Sequence, residues 1–322
     1  MLTIITTFKP FEGIFNILQR NALESWLRFV KNCDVVVVGE ESGVTDVANE
    51  YGLKIVKEIK RSKFGTPLFS EIIQNGEKLA DYEYVCFTNG DIILLDDFVT
   101  AFNLMKQSFQ EFLALSIRTN LDVTQKLNLD DQQTIKFLKA KAVESKTKRT
   151  FPSNGAGFDV FVFRRGFFKD IPPFVVGRGN AYVRWMIYQT KMRKKPVIEI
   201  SPSITAIHQN HEYTHIRDPK VKALSLDKGQ NTYLPTQGEE YLFNSSLLGV
   251  ASYFSGGDID YVLTHNGFVQ PRSTRLLFRR VVKLPLLPPV SRVSLPLTKL
   301  IIPNRVSRSL IKKMLEKSGV LY

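Results

Sequence analysis

The stretch "YEYVCFTNGDIIL", residues 82–94, decides how this chain reads. It looks like one buried strand, apolar along its length as strands covered on both faces are. Asn89, Gly90 and Asp91 interrupt it near its end. An amide, a glycine and a carboxylate in that place need a reason.

Upstream, apolar runs alternate with amphipathic ones. "LTIITTF" (2–8), "DVVVVG" (34–39) and "KIVKEI" (54–59) read as strands. Between them, "NILQRNALESWLRFV" (16–30) carries Ile17, Ala22, Trp26, Phe29 and Val30 at roughly helical spacing, and "GVTDVANEYG" (43–52) reads as a helix that stops at glycine. "TPLFSEIIQNGEKLA" (66–80) is expected to be a helix with Pro67 in its first turn. Strands alternating with helices predict an α/β structure with a parallel sheet over about the first 120 residues. Downstream, residues 122–150 are polar and Lys-rich, a helix plus a loop. Then follow strand "GFDVFVFRR" (157–165), helix "NAYVRWMIYQTKM" (180–192), strand "PVIEI" (196–200) and the histidine-rich "HQNHEYTH" (208–215).

In a parallel sheet, ligands bind at the carboxyl ends of the strands. Asp91 stands where "YVCFTN" runs out, so its carboxylate is expected at that rim, able to hold a hard cation through oxygen. Strand alternation would turn Asn89 the same way, to add a carbonyl ligand or contact a ribose. Gly90 would let the backbone turn and a bulky ligand approach. Such a cation would bridge a diphosphate. Asn, Gly and Asp are also ordinary turn residues, and a plain turn or helix cap is the alternative. His208, His211 and His215 fall within eight residues, and His265 is the fourth histidine of the chain. A metal or phosphate role is expected for at least one of the three. No cysteine lies nearby and no Glu follows the first His in the helical zinc-protease pattern, which argues against a structural or protease zinc site.

The chain has 322 residues, 43% of them hydrophobic, enough for one large domain or two small ones. No run of 18 uninterrupted apolar residues occurs, and "MLTIITTFKPFEG" lacks the positive start and long apolar stretch of a signal peptide. Cys33 and Cys86 make no disulfide framework, so a reducing, cytoplasmic compartment is expected. The formal charge is +13. Residues 272–322 hold twelve Lys and Arg against the single acid Glu316, a net of +11, which leaves +2 for residues 1–271.

Taken together, "GTPLFSEI…YVCFTNGDIIL", "DVFVFRRGFFKDIPPFVVGR" and "AIHQNHEYTH" resemble the nucleotide-diphospho-sugar transferases of the A-type glycosyltransferase (GT-A) fold. The resemblance is to a bacterial and plant group with an N-x-D-I strand end and a HQNHxYxH-like block, and it covers roughly residues 1–265. It implies a Rossmann-like fold with a mixed, mostly parallel central sheet flanked by helices. It implies a catalytic domain over 1–265, with a nucleotide-binding half (1–121) and an acceptor and metal half (151–265), followed by a basic extension over 266–322. It further implies Mn²⁺ or Mg²⁺ on the donor diphosphate, with Asp91, His208 and His211 as ligands. Asn89 stands where the family's first Asp usually is. Thr6, Thr7 and Phe8 match the place of base and ribose, with Asn89, Gly90 and Asp91 in the donor site; Arg178 and Arg184 are placed to offset diphosphate charge, with plain solvation as their alternative. Relatives carry an Asp in the helix after "GR", where this chain has Val183 and Arg184, so Asp159 is the remaining candidate for the base that deprotonates the acceptor. A structural strand-start role is its alternative. Retention and inversion both stay open.

The expected function is sugar transfer to a glycan or lipid-linked acceptor in bacterial surface polysaccharide synthesis. The alternatives are a catalytically inactive carbohydrate- or partner-binding module and a sugar-nucleotide nucleotidyltransferase. The latter usually opens with a Gly-rich, Arg- and Lys-bearing loop that "TTFKPFEGIF" lacks. In the tail, "RVSRSLIKKMLEK" puts Val306, Leu310 and Met314 on one helical face among basic residues, a pattern for lying on an anionic membrane at its inner, cytoplasmic face, with packing on the enzyme body or a partner as the alternative. No aromatic-interleaved basic strand speaks for nucleic acid.

Overall fold

A computed structural model describes residues 1–62, 65–149, 157–177, 181–211 and 259–271. Its elements are, in order, β1 (Thr3–Thr6), α1 (Gly13–Phe29), β2 (Asp34–Val38), α2 (Val44–Tyr51), β3 (Lys54–Val56), α3 (Phe69–Leu79), β4 (Tyr84–Thr88), β5 (Ile92–Leu94), α4 (Asp97–Ser108), β6 (Leu113–Ile117), β7 (Thr119–Leu121), α5 (Gln132–Thr147), β8 (Phe158–Arg164), α6 (Ala181–Met192), β9 (Val197–Glu199), β10 (Ala206–Gln209), β11 (Tyr261–Thr264) and β12 (Gly267–Val269).

Among the described residues, nine strands form one sheet in the order β12-β11-β9-β6-β8-β4-β1-β2-β3. It is mixed and mainly parallel: β8 runs antiparallel between β4 and β6, and β12 antiparallel to β11. Its strands alternate between two buried faces. On β4, Tyr84 and Cys86 point into the layer of α1 and α4, with Trp26 and Phe102, while Val85 and Phe87 point into the layer of α3 and α6, with Phe69 and Trp185. Burial on both faces is why these strands read as continuous apolar runs. The expected α/β architecture is therefore present. No helix of the described residues is long and apolar enough to cross a membrane. The chain continues past residue 265 as the edge strand β12.

Two readings need correction. The stretch 82–94 is two strands, not one. β4 ends at Thr88, the Ile92 N–H closes a turn on the Asn89 carbonyl at 3.2 Å, and β5 joins a separate three-stranded sheet, β5-β10-β7. Helix α1 holds β5 there: the Trp26 indole donates to the Ile92 carbonyl at 2.8 Å, and the Leu94 N–H donates to the Ser25 hydroxyl at 3.1 Å. Sequence hydropathy is blind to such a change of sheet, because β5 is as buried as β4. The second correction is Pro67. It lies before α3 in an isolated bridge to Arg61, and extended backbone at Leu68 delays the helix to Phe69.

Candidate metal centre

Asp91 occupies the turn where the chain leaves the large sheet for the small one, at the carboxyl end of β4. Gly90 is required there for an internal reason. A Cβ on it would run into the Phe8 ring and lie 2.9 Å from the Thr7 carbonyl, so the end of β1 packs directly on the turn. The neighbour that excludes a side chain is Phe8, not a ligand.

The register of the small sheet brings in the histidines. β10 pairs antiparallel with β5, setting His208 opposite Ile92 and hence beside Asp91. His211 follows the end of β10. Both imidazoles aim Nε2 at one oxygen, Asp91 Oδ2, from 3.4 Å (His208) and 3.2 Å (His211). The Phe15 ring, in the first turn of α1, packs edge-on against His211 with centroids 5.0 Å apart. Asp91 Oδ1 and His208 Nδ1 are buried with no hydrogen-bond partner. Buried polar atoms are rarely left so, and an ion is one of the ordinary explanations. One carboxylate and two imidazoles, with ligating atoms within 4.8 Å of one another, fit a divalent cation. Two nitrogen donors favour a transition ion such as Mn²⁺ over Mg²⁺, which prefers oxygen. Burial pushes the Asp91 carboxyl up. The hydrogen bonds and charges of His208 and His211 outweigh it and hold the group below the usual carboxylate range, in the ligating form.

Asp159 lies at the start of β8, whose antiparallel course returns it to the same edge. Its carbonyl accepts the Thr88 hydroxyl at 2.9 Å. Its Oδ2 is held by the Arg118 guanidinium, from the junction of β6 and β7. Burial pushes the Asp159 carboxyl up, Arg118 and His208 pull it down, Asp91 adds to the rise, and the net shift is upward. Arg118 was not anticipated. The only trace of it was a cation closing the apolar run "LALSIR".

Of the other expected residues, Thr6 is fully buried and donates its hydroxyl to the Thr88 carbonyl at 2.9 Å, tying β1 to β4. Thr7 is half-buried at the edge. Phe8 is buried edge-on to Phe11 and stacked on Trp26. Asn89 is half-buried, its carbonyl closing the turn, so it does not continue the strand alternation that would align it with Asp91. Arg178, His215 and the basic segment 272–322 lie outside the described residues.

A third carboxylate stands at this edge. Glu41, just past β2, receives the Arg61 guanidinium on Oε1 at 2.8 Å, while its Oε2 is buried without a partner. Gly39, at φ +124, leaves the room: a Cβ there would meet that oxygen at 2.5 Å. The loop after β1 is adjacent, with the Phe11 N–H on the Ser42 carbonyl at 2.9 Å. "VVVVGEE" held the same signal as the Asp91 stretch, an apolar strand ending in glycine and a carboxylate.

No protein-family profile matches the sequence, and no curated protein matches it. Solved structures similar to this chain include residues 1–349 of S. aureus TarS in complex with UDP-GlcNAc, at 12% identity and a TM-score of 0.43, over 76% of this chain and 73% of that one. Glucosyl-3-phosphoglycerate synthase from Mycobacterium tuberculosis, in complex with Mn²⁺, UDP-glucose and phosphoglyceric acid, is similar at 10% identity and a TM-score of 0.41, over 74% and 81%. The mannosyltransferase PcManGT from Pyrobaculum calidifontis, in complex with GDP-Man and Mn²⁺, is similar at 13% identity and a TM-score of 0.42, over 78% and 74%.

Proposed function

We propose that this chain is a glycosyltransferase that moves a sugar from a nucleotide-diphosphate donor to a glycan or lipid-linked acceptor, with a divalent cation, Mn²⁺ or Mg²⁺, held by Asp91, His208 and His211. One observation carries the reading: at the carboxyl rim of a mainly parallel sheet, a carboxylate keeps one oxygen buried and unpartnered while two imidazoles converge on its other oxygen. A bound cation would offset the negative charge of the departing nucleoside diphosphate.

The chain's own groups supply the rest. Thr7, beside the Phe8 and Gly90 contact, borders the place of base and ribose, and Thr6 and Phe8 shape that place from behind. The unpartnered Oε2 of Glu41 would accept an N–H from the base. Asn89 flanks the diphosphate, and Arg178 would balance its charge. Asp159, its carboxyl raised by burial, would take the acceptor's proton on the oxygen that Arg118 does not hold. The tie to Arg118 favours one alternative, a sugar-binding module without turnover. We assign residues 1–265 to the catalytic domain, in halves 1–121 and 151–265, with β12 completing the edge of its sheet, and the basic residues 272–322 that follow to an extension. That extension would hold the enzyme at the inner face of the cytoplasmic membrane for polysaccharide synthesis.

Calorimetry with UDP, GDP and CDP, each with Mn²⁺, with Mg²⁺ and with chelator, tests the core of this. We expect at least one nucleotide to bind in a metal-dependent way. No binding of any of them with either ion overturns the reading. Metal-dependent binding without donor turnover selects the inactive module. Co-sedimentation with anionic vesicles, full length against a chain ending at 271, tests the extension; equal sedimentation of both overturns the membrane assignment.

A further inference from the structure

We propose that Gln209, oriented by Asn21, is a positioning residue that fixes the backbone of Asp91 so that its carboxylate faces both imidazoles. The inference rests on the metal reading above and concerns groups that take no part in binding the ion.

β10 delivers two neighbours in opposite directions. His208 points to the Asp91 carboxylate; Gln209, fully buried, turns towards α1. Its Nε2 donates to the Leu18 carbonyl at 2.7 Å and to the Asp91 carbonyl at 3.1 Å. Its Oε1 accepts from Asn21 Nδ2 at 2.9 Å. Asn21, also fully buried, gives its other donor to the Gln125 carbonyl at 3.0 Å, and its Oδ1 accepts the Leu127 N–H at 2.9 Å. Each hydrogen-bonding site of the two amides that these contacts require is therefore filled, and the set has one orientation. Flipping the Gln209 amide would set its oxygen against two carbonyls and its NH₂ against another NH₂. A buried network that is fully satisfied fixes geometry, and one left half-satisfied is strongly unfavourable.

The consequence falls on Asp91. It sits in a turn between two sheets, outside any ladder of the large sheet, and neither of its own side-chain contacts restrains its backbone. Gln209 holds that carbonyl with its side chain, and its backbone N–H lies on the same oxygen at 3.5 Å. The strand that carries one ligand thus also fixes the residue that carries another. Partners of this kind, one step behind metal ligands, typically change metal affinity 10–100-fold when replaced.

The test uses the full-length chain without nucleotide. Mn²⁺ affinity is read from the free-ion electron paramagnetic resonance signal, alongside circular dichroism and the thermal midpoint. Gln209→Met removes both donors at similar length, Gln209→Glu sets an oxygen against the Asp91 and Leu18 carbonyls, and Asn21→Ser frees the amide to rotate. We expect about a 10–100-fold weaker affinity for both Gln209 variants and a smaller loss for Asn21→Ser, with folding retained. A Gln209 residue that only supports the fold would lower the midpoint and leave the Mn²⁺ affinity as it was, and that result overturns the proposal. So does failure of all three variants to fold, which would make the pair scaffold. Asp91→Ala is the control: if wild type binds Mn²⁺ no better than this variant, the metal reading itself fails and takes the inference with it.

Discussion

Asp91 and Asp159 are the same residue type, on one edge of one sheet, and similarly enclosed: their side chains are 15% and 8% exposed. Their partners separate them. Asp91 faces two imidazoles, a group whose ring nitrogen can offer a lone pair to a cation. Asp159 faces a guanidinium, which stays charged and offers no lone pair. A cation brought to the first pair finds three donors, whereas a cation brought to the second meets a fixed positive charge. The shifts agree, Asp91 held down and Asp159 driven up. Burial alone does not make a carboxylate a ligand; the neighbour able to give up its proton does.

The sharpest break of this contrast is on the stability side. Removing one member of a fully buried ion pair leaves the other charge uncompensated and costs about 3–5 kcal/mol, and Arg118, 24% exposed, puts this pair at the low end. Asp159→Ala should lower the unfolding free energy by about that much in urea, and Arg118→Met should do likewise. The double variant Arg118→Met/Asp159→Leu should recover most of the loss. A loss below about 1 kcal/mol for Asp159→Ala would place the pair with ordinary surface bridges and erase the difference from Asp91.

Asp91→Ala should show the reverse profile. The fold survives, and Mn²⁺-dependent nucleotide affinity falls at least about 100-fold, about 2.7 kcal/mol. Calorimetry checks it, and unchanged UDP or GDP affinity with Mn²⁺ present removes Asp91 from the site. The histidines should follow with smaller and unequal losses. His208 is carried by a strand whose pairing sets its place, while His211 lies beyond the strand end. His208→Ala should therefore weaken turnover at limiting Mn²⁺ by roughly tenfold or more, the usual scale for disturbing a metal site, and His211→Ala by less. Full activity in both variants would make the cluster structural.

Much of the contrast was present in the sequence, and its missing part has a physical cause. The carboxylate after an apolar strand and the packed histidines identified one cluster, because both signals are local. Which acid pairs with which base is not local. Arg118 and Asp159 are 41 positions apart, and Asp91 and His208 more than a hundred, joined only by the antiparallel returns of β8 and β10. Gln209 stood within a stretch already singled out, yet its role depends on Asn21, 188 positions away. Gly90 signals only that a side chain is excluded, and it is the fold that shows Phe8 against that position. Hydropathy reports whether a residue is buried; it does not report against what, and the function of this edge lies in that second quantity.

The smallest expected effect tests the same contrast through pH. Burial drives the Asp159 carboxyl up against the pull of Arg118, so the folded state binds this proton more tightly than the unfolded chain does. Its contribution to stability is therefore fully present below the unfolded value of about 4 and is lost as pH rises through the raised folded value. Asp159→Asn cannot titrate. Measured between about pH 3.5 and 6.5, wild type should lose stability relative to this variant as pH rises. Arg118→Met removes the group that pulls the carboxyl down, so it should move the same loss to higher pH. Asp91→Asn should flatten the profile only in part, since burial is the largest cause of the Asp159 rise and the Asp91 charge only adds to it. Urea midpoints at fixed salt, taken across that range, give the slope for each variant. A wild-type profile parallel to that of Asp159→Asn would mean that Arg118 fully offsets burial, leaving Asp159 unshifted and its contrast with the depressed Asp91 correspondingly smaller.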